Sequence, residues 1–330
     1  MTWMTWRQFR AQALVGLAAL VLLAGYLVAL GRRIHSAYDD TLAHCATPNA
    51  CSGPLGALAD RYGLQTDLLG YLLLIVPAVI GVYWGAPLIA RELEAGTHRL
   101  VWNQSVTRTR WLAAKLALVG LLSVTTAGVY SLLLTWATGP VTTIVNNRFE
   151  PVNFASRDIA PLGYTAFAFV LGAVLGLILR RAVPAMAATL VVFTALQIAV
   201  PMLLRPHYQA PTRTSVPLTA DLIGHLTKIG TYGDIGGLRI PGGPWVIDTS
   251  PILDSAGKEV GHTAWFQGCM DHSALSELPN CLAKGNIHVA IAEQPADRYW
   301  TFQYLETALF VTQAALLATL ALWRIRKHPV

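Results

Sequence analysis

The residues of this chain that could work by direct contact are few, and they fall into three groups. Glu92 and Glu94 are followed within a short polar stretch by Arg99 and Arg108. A surface that docks on another protein needs both signs of charge for complementarity. The plainer reading is a solvated loop, which explains the arginines but not the acids. Gln303 and Glu306 are one helical turn apart inside the last apolar run. An ionisable group there costs roughly 2.5 kcal/mol or more at depth, so it must face protein or water. It either lines a translocation path or pairs with Arg298 or a neighbouring helix. Finally, His262, Cys269, His272 and Cys281 have zinc-ligand chemistry. Their spacing matches no compact zinc motif, and a cysteine pair is more simply a disulfide, so no metal is expected. No G-x-x-x-x-G-K-[ST], H-E-x-x-H or G-x-S-x-G occurs, so no catalytic residue and no cofactor is assigned to the chain.

These groups must be positioned by membrane-spanning elements. Apolar residues make up 54% of the chain and charged ones 13%, the composition of a polytopic membrane protein. A spanning helix needs roughly 20 apolar residues, and six runs qualify: 11–31, 68–90, 111–137, 160–179, 182–204 and 300–323. The net charge of +6 does not point to nucleic acid, because the basic residues are dispersed and concentrate at the ends of the runs. With the N-terminus inside, the short inner segments hold Arg7 and Arg10, then Arg91 to Lys115, then Arg180 and Arg181, then Arg324, Arg326 and Lys327. Basic density in short loops sets orientation; Arg32 and Arg33 argue weakly the other way. Cys45, Cys51, Cys269 and Cys281 then all fall outside, where disulfides persist. Four cysteines allow three connectivities, and nearness in sequence favours Cys45 with Cys51 and Cys269 with Cys281.

Along the chain, Trp3, Trp6 and Phe9 beside Arg7 and Arg10 predict an interfacial helix lying flat at the inner surface. Residues 32–66 read as an outer loop. GVYWG at 81–85 and GAVLG at 172–176 are small-x-x-x-small patterns that suit close packing within one subunit. Arg180 and Arg181 form a tight turn closed by Pro184, which makes the fourth and fifth spans an antiparallel hairpin. In 205–299, DSAG and PGGP supply turns, and LRI, WVI and TAWF are strand candidates for a small outer domain.

Residues 90–115 carry the strongest pattern. The helix entering from the second run stops at Gly96, 98–103 is amphipathic, and Ser105 and Thr107 offer caps for the next helix. Glu92, Glu94, Gly96, Thr97, Arg99, Ser105, Arg108 and Lys115 resemble the E-x-E-x-G-T element, coupling helix and basic return of ABC-2 type transporter permeases, although Ser105 stands where many members have proline. A second local match is QPADRYWTFQYLE at 294–306. The resemblance implies that Glu92, Glu94, Gly96, Thr97, Arg99, Leu100, Val101 and Arg108 couple to a separate cytosolic ABC ATPase carrying ATP and Mg, and that two permease copies form a homodimer in membrane lipid.

The fold expected is an all-α polytopic membrane protein with six transmembrane helices, an N-terminal interfacial helix, a short coupling helix between spans 2 and 3, and a small mixed extracytoplasmic domain between spans 5 and 6. Its boundaries are 1–204, 205–299 and 300–330. The function expected is that of a permease subunit of an ATP-driven exporter of a drug, lipid or peptide in the cell membrane, both termini cytoplasmic, without an ATPase site or nucleic-acid partner. The alternative is a membrane sensor or accessory protein with an extracytoplasmic ligand-binding domain; a polytopic enzyme would need convergent titratable groups, and essentially only Glu306 offers one.

Overall fold

The helices run further than apolarity alone predicts, because the charged residues flanking the first two runs are still helix formers. A computed structural model describes residues 2–45, 51–96, 107–224, 226–238, 240, 242–272 and 277–327. Span 1 is one helix, Thr2–Ala43, so the amphipathic start is its opening turns and not a separate element. Span 2 begins at Ser52, with Pro54 tolerated in its first turn. Most of the loop expected at 32–66 is therefore helix, and the Cys45–Cys51 disulfide joins the two extensions. Span 2 continues from Ser52–Ile80 through a π-helical turn, Gly81–Gly85, into Ala86–Glu94. Span 3 is Arg108–Val145, span 4 Ala160–Leu179, span 5 Ala182–Ala199 with a further π-helical turn at Val200–Leu204, and span 6 Tyr299–Lys327. Among the described residues six helices are long and apolar enough to cross a membrane; this is a multi-pass membrane protein.

Span 4 is the centre of the membrane unit: 67% of its most apolar window is buried, against 17% for span 5 and 22% for spans 1 and 6. Glycine makes this possible. A methyl group on Gly172 would lie 2.3 Å from the Gly81 carbonyl oxygen, and one on Gly176 would lie 2.5 Å from that of Ala86. From the other side, one on Gly85 would lie 2.4 Å from the Phe169 carbonyl oxygen. Spans 2 and 4 thus meet backbone to backbone along the two glycine patterns, which lie within one subunit as the sequence predicts, with the π-helical turn at their crossing. Spans 1, 2 and 3 close a second core around Leu27, Ile34, Leu73, Tyr130, Leu134 and Ala137.

The span 4–span 5 hairpin turns on two residues. Arg180 takes the left-handed conformation at φ 55° and Arg181 is extended, so the chain reverses without a loop.

The chain divides into two compact units: 1–145, 150–202 and 301–330, and a second made of 146–149 and 203–300. The second unit has a three-stranded antiparallel sheet in the order β1 (Thr212–Pro217), β5 (His288–Gln294), β4 (Trp245–Thr249), and a separate pair, β2 (Lys228–Ile229) with β3 (Ile235–Gly236). Val289 and Ile291 on β5 are buried with Leu218, Ile252, Val260 and Phe266, and the Cys269–Cys281 disulfide closes that core. WVI is a strand as expected. TAWF is not: Ala264–His272 is a helix, which puts Phe266 and Cys269 on one buried face. Leu238 and Ile240 of LRI lie outside any strand, and Arg239 is outside the described residues.

Candidate functional site

The helix Ala86–Glu94 ends on Ala95 and Gly96, whose amides donate to the carbonyls of Arg91 and Leu93, with Gly96 at φ 68°. This ending fixes both acids. Glu92 reaches back to span 3, where its Oε1 lies 2.5 Å from Lys115 Nζ. Lys115 also donates to the Leu88 carbonyl at 3.4 Å and lies 4.8 Å from the Trp111 ring, and its side chain is 4% exposed. Around the pair, Ile89, Trp111, Leu112, Val174, Leu177 and Ile325 bring together spans 2, 3, 4 and 6. Removing one partner of a buried ion pair strands the other charge, so the pair is part of the architecture at this end of the bundle.

Glu94 points the other way. Its Oε2 accepts the Ala182 amide of span 5 at 3.2 Å. An acid at a helix N-terminus satisfies an otherwise unpartnered N–H and complements the helix dipole. The E-x-E pair therefore ties the end of span 2 to spans 3 and 5. The sequence reading gave both carboxylates to docking and did not foresee these partners. The available signal was Lys115, a cation inside an apolar run that needs an anion nearby.

Thr97, Arg99, Leu100 and Val101, the proposed coupling helix and Ser105 lie outside the described residues. The chain is described again at Thr107, whose hydroxyl accepts the Arg110 amide at 3.4 Å and caps span 3, with Arg108 in its first turn. Exposed beside this end of the bundle are Arg91, Arg110, Arg180, Arg181, Arg324 and Arg326.

Gln303 and Glu306 are both fully buried against span 4. Gln303 accepts the Ala160 amide and donates to the Phe154 carbonyl, each at 2.9 Å. Glu306 accepts a hydrogen bond from the Tyr164 hydroxyl. The backbones are close here too: a methyl group on Gly163 would lie 3.1 Å from the Thr307 carbonyl. Arg298 instead bonds the Ala210 carbonyl and Gln294. The start of span 4 is also fastened to span 3, since Ser131 donates to the Asp158 carbonyl at 2.8 Å and the Asp158 amide donates to Thr135 at 3.2 Å. Sequence reasoning missed that joint; two hydroxyls four apart on one helix face were its only trace.

Cys45 is bonded to Cys51 and Cys269 to Cys281, so the two sulfurs of the zinc candidate are engaged with each other. The His272 side chain is outside the description. Taken together, the arrangement can transmit force: polar ties at one end join spans 2, 3 and 5, and at the other join spans 3, 4 and 6. A family model described as ABC-2 membrane transporter related matches residues 17–205, more than half of the chain. No curated protein and no solved structure matches it.

Proposed function

Because the chain belongs to the ABC-2 membrane transporter related family, we propose that it is the permease subunit of an ATP-driven exporter of a lipophilic or amphipathic substrate (drug, lipid or peptide), driven by a separate cytosolic ATPase that binds ATP and Mg. Two copies form the transport path, with both termini in the cytoplasm. The observation that carries this reading is the bracing on either side of residues 97–106. The helix that enters the segment is tied to span 3 by Glu92 and Lys115 and to span 5 by Glu94 and the Ala182 amide. A push on the segment is thereby delivered to three spans together, as a coupling element requires. In this scheme Thr97, Arg99, Leu100, Val101 and Arg108 meet the ATPase, while Glu92, Glu94 and Gly96 hold the element's geometry. Gln303 and Glu306 make span 6 follow span 4. Alternation between inward and outward states then follows from differential stabilisation by ATP-driven closure of the ATPases.

The test is co-expression with the neighbouring ATPase. The expected result is co-purification and substrate-stimulated ATP hydrolysis, both lost when Leu100→Ala and Val101→Ala are combined. If no ATPase co-purifies and a small molecule binds the 203–300 unit, the protein is an accessory sensor instead.

A further inference from the structure

Two cavities lined by spans 1 and 2, the larger also by Thr126 and Tyr130 of span 3, share Tyr26 as a lining residue. The larger, of about 950 Å³, is apolar and runs along Leu20, Leu23, Ile75, Val79 and Trp84. The smaller, of about 450 Å³, lies toward the end of the spans that carries the Cys45–Cys51 disulfide, and Arg33, Arg61, Tyr62 and Gln65 line it. Among the described residues no carboxylate lines it, and neither arginine is in an ion pair. Arg61 is held over the Tyr62 ring at 5.6 Å. Two guanidinium groups with an amide beside them make a site for a phosphate, which arginine binds through paired N–H donors. The apolar trough below adds a requirement that inorganic phosphate does not meet: the anion must carry a chain. From Leu20 to Arg33 the helix rises about 20 Å at about 1.5 Å per residue, enough for the roughly 15 Å of hydrocarbon in one leaflet.

We propose that this groove holds an anionic glycerophospholipid of the surrounding bilayer, with its phosphate on Arg33 and Arg61 and one acyl chain along Leu23, Ile75, Val79 and Trp84. The site requires neither the ATPase nor transport, and the permease alone suffices to test it.

The full-length protein is placed in nanodiscs of equal parts phosphatidylglycerol and phosphatidylcholine, and the lipids it retains on release are counted by native mass spectrometry. Wild type is expected to retain phosphatidylglycerol in excess. Arg33→Gln with Arg61→Gln should reduce that retention by about tenfold or more, with helix content unchanged by circular dichroism. Arg32→Gln, a neighbour that does not line the cavity, should leave it intact. Independently of the arginine variants, phosphatidylglycerol brominated on its chains should quench wild-type tryptophan fluorescence more than brominated phosphatidylcholine does, and Trp84→Phe should remove the difference. Retention in the proportions of the bilayer, or an equal loss with Arg32→Gln, overturns the proposal. Ready cross-linking of Leu22→Cys between copies also overturns it, because a second copy then covers the groove.

Discussion

At the scale of single residues, the buried Lys115 makes the sharpest demand. Lys115→Met leaves Glu92 next to an apolar side chain with its counter-charge gone, and loss of one partner of such a pair costs about 3–5 kcal/mol. The variant should show a clearly lower thermal midpoint in detergent, and Lys115→Met combined with Glu92→Leu should recover much of the loss. A double variant as unstable as the single one would mean that the ion pair of 2.5 Å is not what holds this end together. Glu306 makes a milder demand. Glu306→Gln keeps an acceptor for the Tyr164 hydroxyl and should assemble normally, whereas Glu306→Leu removes the carboxylate that accepts from this buried hydroxyl, at a cost of about 1–3 kcal/mol. Equal yields of folded protein from the two variants would contradict the joint between spans 4 and 6. Glu306 stands out in the sequence as a charge in the wrong solvent, whereas Lys115, equally inside an apolar run, reads there only as part of the basic return into span 3. The partners of the two, Tyr164 and Glu92, were not foreseen, because each is distant in sequence and nothing in a linear pattern says which faces of two helices meet.

At the scale of elements, the glycine seam decides how near spans 2 and 4 come. Gly172→Ala forces a methyl group to within 2.3 Å of the Gly81 carbonyl oxygen, so the helices must separate and their shared contacts weaken. Gly25→Ala, with open space around it, is the control and should be neutral or slightly stabilising. Midpoints that fall equally for both would sink the seam. In the second unit, turns are tied by exposed carboxylates. Asp254 is held below the usual carboxylate range mainly by the Lys258 amide, with the Ala256 amide adding to it, and Asp234 is held below it by its bond with Lys228. A folded-state value below the unfolded one means a contribution present above about pH 3.9 and lost as pH falls through the lower folded value. Protection of the amides of 254–258, taken relative to their intrinsic exchange rates, should therefore be lost only in strong acid, and a loss already at about pH 6 would contradict it. The spans were legible because about 20 apolar residues in a row have few other uses. The second unit was half legible. WVI is wholly aromatic and β-branched and forms a strand, but TAWF, also rich in β-favouring residues, became a helix, because in a short segment tertiary contacts outweigh β propensity.

At the scale of the whole molecule, the two disulfides bear on which side of the membrane each loop occupies. With Cys45, Cys51, Cys269 and Cys281 all bonded, intact cells treated with a membrane-impermeant thiol reagent should show labelling only after an impermeant reductant. Labelling without reductant would mean that the bonds do not form in the cell, and none after reductant would place these loops inside. Arginine and lysine density gives an expectation for the direction of the chain, which this labelling tests, whereas the polar ties that join spans 2 to 6 were not readable in the sequence. The glycine seam has a last consequence, for descent. Where side chains pack, a loss on one helix can be made good by a larger neighbour on the other. Where carbonyl meets glycine no such exchange exists, since no residue is smaller. Among related sequences, Gly81, Gly85, Gly172 and Gly176 should therefore stay fixed while the lipid-facing positions between them drift.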